Sequence, residues 1–249
     1  MTPTAVRSDR KGLLWPALFT LCTAALLVSL GIWQLQRLAW KEGLIAQIAA
    51  RADAAPVPAP PESQWPALRP DDYDYRHVKL HGHFDYDKEA LVFRPSGPDG
   101  LGPGYLVLTP LRLDDGAHVI VNRGYVPQEL KDPTKRSGSR AAGEVEVTGL
   151  MRPPEPRNLF TPVDEPGKDI YFTRDPAELA AHFGLARTAP FSIDADAVAV
   201  PGGWPKGGTT LRVLPNNHLE YAITWFGLAA GLIGVFGALV IRRFRSPMA

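Results

Sequence analysis

The chain is poor in cysteine, in net charge and in catalytic signatures, and each deficit excludes something. Cys22 is the single cysteine in 249 residues. An intrachain disulfide, a cysteine-based zinc site and a CxxC redox or copper-shuttle motif are therefore excluded. Cys22 lies in an apolar run and reads as a small buried hydrophobe. The preceding Phe19-Thr20-Leu21 lacks the small residue expected before a lipid-modified cysteine. The formal net charge is +1, so there is no basic surplus to neutralise phosphates and no case for nucleic acid. No GxSxG, HExxH or Walker signature occurs. The glycine-rich stretch 202–210 has its lysine before the second glycine pair and reads as a loop.

Charge is also missing locally, at the two ends. No charged residue lies between Lys11 and Arg37, or between Glu220 and Arg242. At ~1.5 Å rise per residue, about 21 residues already span the ~30 Å hydrocarbon core of a bilayer. Mean hydropathy is near zero only because the apolar residues are concentrated in these two runs. The first run exceeds the ~7–15-residue core of a signal peptide and continues into a polar helical stretch, so an uncleaved anchor is expected. Trp15 and Trp33 lie near its ends, as interfacial belts require. Arg7, Arg10 and Lys11 precede the first run, and Arg242, Arg243 and Arg245 follow the second. Both tails are thus expected in the cytoplasm, with the long middle exported. With Asp9 and a short N-terminal stretch there is no transit-peptide pattern. A bacterial inner membrane with a periplasmic domain fits.

The expected organisation is a cytoplasmic tail (1–12), a transmembrane helix (13–35), its juxtamembrane extension (36–50), a Pro/Ala-rich linker (51–70), a β-rich exported domain (71–217), a second transmembrane helix (218–241) and a basic cytoplasmic tail (242–249). The linker should wrap or space rather than fold. Prolines number 25, about twice the usual ~5%, which favours short strands and turns. Strands are expected at 78–84, 90–94, 105–113, 118–126, 144–150, 191–193 and 209–214, with a hairpin turn at Asp114-Asp115-Gly116 and one short helix at 175–183. The fold class is an α+β membrane protein: two transmembrane helices bracket a mainly antiparallel β domain, a small barrel or sandwich, with one short helix.

Three clusters carry chemistry. His81 and His83 share a strand face and form half of a metal site or an ordinary exposed pair. Gly124, alone inside the apolar strand 121–127, signals a bulge or a close backbone approach, with Arg123 and Tyr125 on one face. His218 opens the second apolar helix, with Asn217 as its cap and Glu220 placed to reach back. A helix N-terminus favours the neutral imidazole, the form that a metal or haem iron needs. The other reading is a histidine bonded to headgroups or water. By helical angle Ala222, Trp225 and Ala229 share the His218 face. Gly227, Gly231, Gly234 and Ala238 form a second stripe, expected to pack on the first span and leave the His218–Trp225 face open. Trp33, Arg37 and Trp40 lie nearly on one face, as a cation–π stack or as interfacial anchors.

Gly31-Ile32-Trp33-Gln34-Leu35-Gln36-Arg37 with Trp40-Lys41 and Leu44-Ile45, the central 121–127 stretch VNRGYVP, and 217–226 (NHLEYAITWF) stand in that order. Together they resemble the signatures of the surfeit locus protein 1 family, which assists assembly of cytochrome c oxidase. Tyr125 stands where the family often has tryptophan. The resemblance implies an assembly factor rather than an enzyme. It implies haem A as bound cargo, with His218 as the iron ligand and Trp225 on the same face, and no other metal. The implied partners are cytochrome c oxidase subunit I, haem A synthase and the lipid bilayer. Two alternatives stay open: a haem-free scaffold that holds an oxidase subunit, and a membrane-anchored periplasmic enzyme of unknown reaction.

Overall fold

The computed structural model describes residues 11–210 and 215–245. They divide into two units. One, within Met1–Ala46 and Val213–Ala249, holds the long helices; the other is Gln47–Arg212. The chain is an α+β membrane protein with two helices long and apolar enough to cross a bilayer.

In the helical unit, α1 (Lys11–Ala52) and α4 (His218–Arg245) run antiparallel. The start of α4 meets Gln34, whereas Gly12 lies by Arg243 near its end. The less exposed positions of α1 run through Ala17, Thr20, Ala24, Leu27, Gly31, Gln34 and Leu38. Those of α4 run through His218, Ala222, Trp225, Ala229, Leu232 and Phe236. Steps of three and four alternate in both, giving the 3.5-residue period of a coiled-coil seam. Small residues let the backbones approach. A Cβ on Gly31 would lie 2.7 Å from the Phe226 ring.

This seam corrects the expected packing. Ala222 and Ala229 are buried, so the His218–Trp225 face meets α1 and is not open. Among the described residues nothing lies within 4 Å of a Cβ at Gly227, Gly231 or Gly234, and Ala238 is exposed. The glycine stripe thus faces away from α1. The reason is pairwise fit: Phe226 needs the gap at Gly31, and a smooth glycine stripe offers it no counterpart. Cys22 is likewise exposed, on the outer face of α1.

In the other unit, eight strands form one sheet: β1 (Val57–Pro58), β2 (His77–Phe84), β3 (Ala90–Arg94), β4 (Gly104–Arg112), β5 (His118–Pro127), β6 (Val145–Arg152), β7 (Ile170–Tyr171) and β8 (Thr188–Ala195). Their order is β1-β2-β6-β8-β5-β4-β3-β7, and β2 also pairs with β4. The ring β2-β6-β8-β5-β4 is therefore closed, a five-stranded barrel with no free edge among those strands. Pairing in the ring is antiparallel except between β5 and β8. Alternate side chains fill the interior: Val78 and Leu80, Val119 and Val121, Val147, and Phe191 and Ile193 belong to one core cluster.

The Asp114–Gly116 turn joins β4 to β5, with the Ala117 N–H donating to Asp115 Oδ1 at 2.9 Å. The short helix α3 (Pro176–Phe183) is capped by Asp175, whose side chain accepts from Ala177 and Glu178, and it ends at Gly184 in the left-handed region. Thr209 and Thr210 are not in a strand, and the rest of the expected strand 209–214 lies outside the described residues. The Pro/Ala-rich stretch wraps the barrel. Val57 pairs with Val78, a one-turn helix α2 (Pro70–Tyr73) follows, and Trp65 is buried with its ring 6.1 Å from that of Phe191. A proline-rich chain has little backbone entropy to lose, so a few anchors such as Trp65 suffice to hold it.

Candidate functional site

His218 is the first residue of α4. The Asn217 carbonyl accepts from the Tyr221 N–H at 3.2 Å, which puts Asn217 at the cap position. The seam brings His218 Nδ1 to 2.7 Å from Gln34 Oε1. A carbonyl oxygen accepts only, so Nδ1 carries the proton and donates it. In the neutral ring Nε2 then keeps its lone pair. A metal-ligating histidine is normally oriented in this way, by donating its second ring N–H to a fixed acceptor.

Gln34 is 8% exposed, and its amide oxygen is satisfied by the imidazole. Sequence reasoning alone does not single it out. The available signal was a primary amide at the end of the small-residue stripe Ala17, Thr20, Ala24 and Gly31. Around the pair the surface is apolar and aromatic: Trp33 beside Gln34, and Leu219 and Tyr221 beside His218, are each at least half exposed. Trp225 is half-buried one heptad along the same seam. Asn216 Oδ1, just before the helix, is buried without a hydrogen-bond partner among the described residues. The Arg37 guanidinium lies 4.0 Å from the Trp40 ring centroid. The expected Arg–Trp stack thus forms with Trp40.

The chemistry of these residues fits a haem in three respects. The donor set offers a tautomer-fixed imidazole, flat apolar surface around it, and the cations Arg37 and Lys41 along α1 for acidic substituents. Among the described residues no group of three or more His, Cys, Asp or Glu is arranged to hold a metal ion. His81 pairs with Glu146 at 3.1 Å on an exposed surface.

The central motif is a structural knot in the β unit. Asn122 Nδ2 donates to Asp194 Oδ1 at 2.8 Å, and its Oδ1 accepts from the Gly124 N–H at 3.1 Å. The β4–β5 register shifts at this point. Gly124 has φ +127°, and a Cβ there would lie 2.0 Å from the Lys206 carbonyl oxygen. The expected bulge and the expected close approach are thus both present. Tyr125 is buried and donates to the Gly102 carbonyl at 2.6 Å. Burial, then the charge of Glu129, pushes its phenol up. Arg123 goes to other partners, Ser139 and Glu89.

A model of the SURF1 family matches residues 21–230. The chain is 34% identical to a rat protein named Surfeit locus protein 1, over 97% of this chain and 80% of the relative. It is 35% identical to the human protein of that name, over 89% of this chain and 75% of the relative. A SURF1-like protein of Drosophila melanogaster is 34% identical over 97% of this chain and 83% of its own length.

Proposed function

Because the chain belongs to the SURF1 family, we propose that it is an assembly factor for cytochrome c oxidase. In this reading it holds haem A at the membrane boundary and assists its insertion into oxidase subunit I. The observation that carries the reading is the His218–Gln34 hydrogen bond. It leaves Nε2 of His218, at the end of a membrane helix, as the ring nitrogen with a lone pair to offer. Haem A is cargo here, and no reaction is assigned to the chain.

The roles of the residues follow from their chemistry. His218 would ligate the iron, Gln34 would hold the ring and its tautomer, and Trp225 would stiffen the seam behind them. Trp33 and Tyr221 would offer apolar area to the macrocycle, and Arg37 and Lys41 would meet its carboxylates. A site between water and lipid suits a ligand that is apolar at one edge and charged at the other. The basic residues outside both spans favour cytoplasmic termini and a periplasmic β unit in a bacterial inner membrane. Oxidase subunit I and haem A synthase are the proposed protein partners.

The test is the absorption spectrum of wild-type and His218→Ala protein, each purified from a haem A-producing host. A haem band in the wild type that is lost in the variant is expected. A variant with full haem content would overturn the ligand assignment. A second reading, a haem-free scaffold, draws on a different observation: Leu159, Phe160 and Val163 are 99%, 93% and 87% exposed on one loop, which suits a protein contact. That reading predicts colourless wild-type protein that still co-purifies with subunit I.

A further inference from the structure

On β5, Val119, Val121 and Arg123 follow one another on the inner side of the barrel. The valines belong to the core, and at Arg123 the apolar filling stops. There a cavity of about 160 Å³ opens, lined by Phe84, Arg123, Val145, Val147 and Ala195 among others. An arginine at the inner end of an apolar barrel is costly unless its charge is answered.

The charge is only partly answered. Arg123 Nη2 donates to the Ser139 carbonyl at 2.5 Å and to Ser139 Oγ at 3.2 Å. Nη1 is 3.5 Å from Glu89 Oε2 and has no hydrogen-bond partner among the described residues. Glu89 is already engaged, because both of its oxygens accept from Arg136. The side chains of Arg123, Arg136 and Glu89 are 8%, 3% and 7% exposed. Two guanidiniums thus share one carboxylate away from water, leaving a surplus of one positive charge. The Tyr86 ring, 4.8 Å from the Arg123 guanidinium, softens this, but Arg140 stacks on the same ring at 5.6 Å. Burial pushes the Arg123 guanidinium down from its ordinary value, yet an arginine stays charged at neutral pH. The two acids at the rim have partners of their own: Glu146 pairs with His81 at 3.1 Å, and Asp196 with His77 at 2.7 Å.

We infer that the barrel mouth is a binding site for a small monoanionic amphiphile, a carboxylate on a short aliphatic tail. The carboxylate lies against the Arg123 side chain where it lines the cavity and cancels the surplus charge. The tail lies against Phe84, Val145 and Val147. One negative charge balances the surplus, whereas a dianionic phosphate would overshoot it. The cavity is close to the ~150 Å³ that accommodates a benzene ring, so a tail of about six carbons is the scale. The site is independent of the haem reading, and it gives the central motif a task that haem binding leaves unused.

Hexanoate is the probe, added to the full chain in detergent and followed by titration calorimetry and by the unfolding midpoint. Hexanol, hexylammonium and inorganic phosphate are the controls. Saturable binding of hexanoate is expected, with a midpoint rise of about 2–4 °C at about five times Kd and no comparable response to the controls. Arg123→Met removes the surplus charge while Arg136 keeps Glu89 paired. It should fold at least as well without ligand and lose the hexanoate response. Val145→Phe fills the cavity and should lose the response with the charge intact. The proposal fails if hexanoate does not bind the wild type, if phosphate or hexanol binds as well, or if Val145→Phe or folded Arg123→Met keeps the full response.

Discussion

Nδ1 of His218 donates to Oε1 of Gln34 across 2.7 Å, joining residues 184 positions apart. Buried against the neighbouring helix, neither group is at ease alone, since an amide or imidazole shut off from water without a partner is costly. Paired, they satisfy each other, set the register of the two helices and choose the imidazole tautomer.

Gln34→Leu should therefore leave His218 present but unoriented. Haem affinity is expected to fall about 10–100-fold, read by absorption titration. Gln34→Glu, which still accepts from Nδ1–H, should retain most of it. Unchanged affinity in Gln34→Leu would show that the amide does not support ligation.

The helix seam makes an asymmetric prediction about glycines. Gly31→Leu would drive a side chain into the Phe226 ring and should destabilise the helix pair by about 1–3 kcal/mol, with partial rescue by Phe226→Ala. Gly234→Leu meets open space and should change the pair little. Thermal unfolding in detergent compares the three variants. Equal damage from Gly31→Leu and Gly234→Leu would contradict the seam.

Gly124→Ala faces two obstacles, a positive φ and a carbonyl oxygen 2.0 Å from the new Cβ. Together they should cost about 3 kcal/mol or more. A lowered unfolding midpoint for the β unit is the readout. A wild-type midpoint would mean that the 206–207 segment yields freely.

Acid stability should depend on Asp194. Burial by itself would raise this carboxyl, but the Arg174 charge, the Asn122 hydrogen bond, Arg152 and Thr210 outweigh it and hold it below the usual carboxylate range. The unfolded chain then binds the proton more readily. The stabilisation is complete above the unfolded value of ~3.9 and is lost as pH falls through the lower folded value. Asp194→Asn should flatten that part of the acid limb. At neutral pH it should cost up to about 3–5 kcal/mol, because buried Arg174 then keeps only Glu155, 3.4 Å away and shared with Arg94, as its counter-charge. Asp194→Asn with Arg174→Met should recover much of the loss. An unaltered acid limb would remove Asp194 from the account.

Local features were legible because their causes are local. The two spans follow from uninterrupted apolar length, α3 from Asp175 and Pro176 at its start, the β4–β5 turn from Asp115-Gly116, and the bulge from a lone glycine in an apolar strand. His218 could be named because it stands at a helix mouth. Gln34 could not, since an amide inside a helix has no local signature of its partner. Glu89, Arg123 and Arg136 are 47 positions apart at the widest, between Glu89 and Arg136, and no spacing rule joins them.

The sequence by itself determined the two membrane helices, their basic flanks, the strand content between them and the family to which the chain belongs. Each of these is written in runs and motifs that need no partner to be read. The tertiary structure alone decided which face of α4 is covered, which residue holds His218 and where the barrel closes on a surplus charge. Both faces of α4 carry small residues, so helical angle could not choose between them. The choice fell to complementarity across the seam, Phe226 into the gap at Gly31 and His218 onto Gln34, which is a property of two surfaces together.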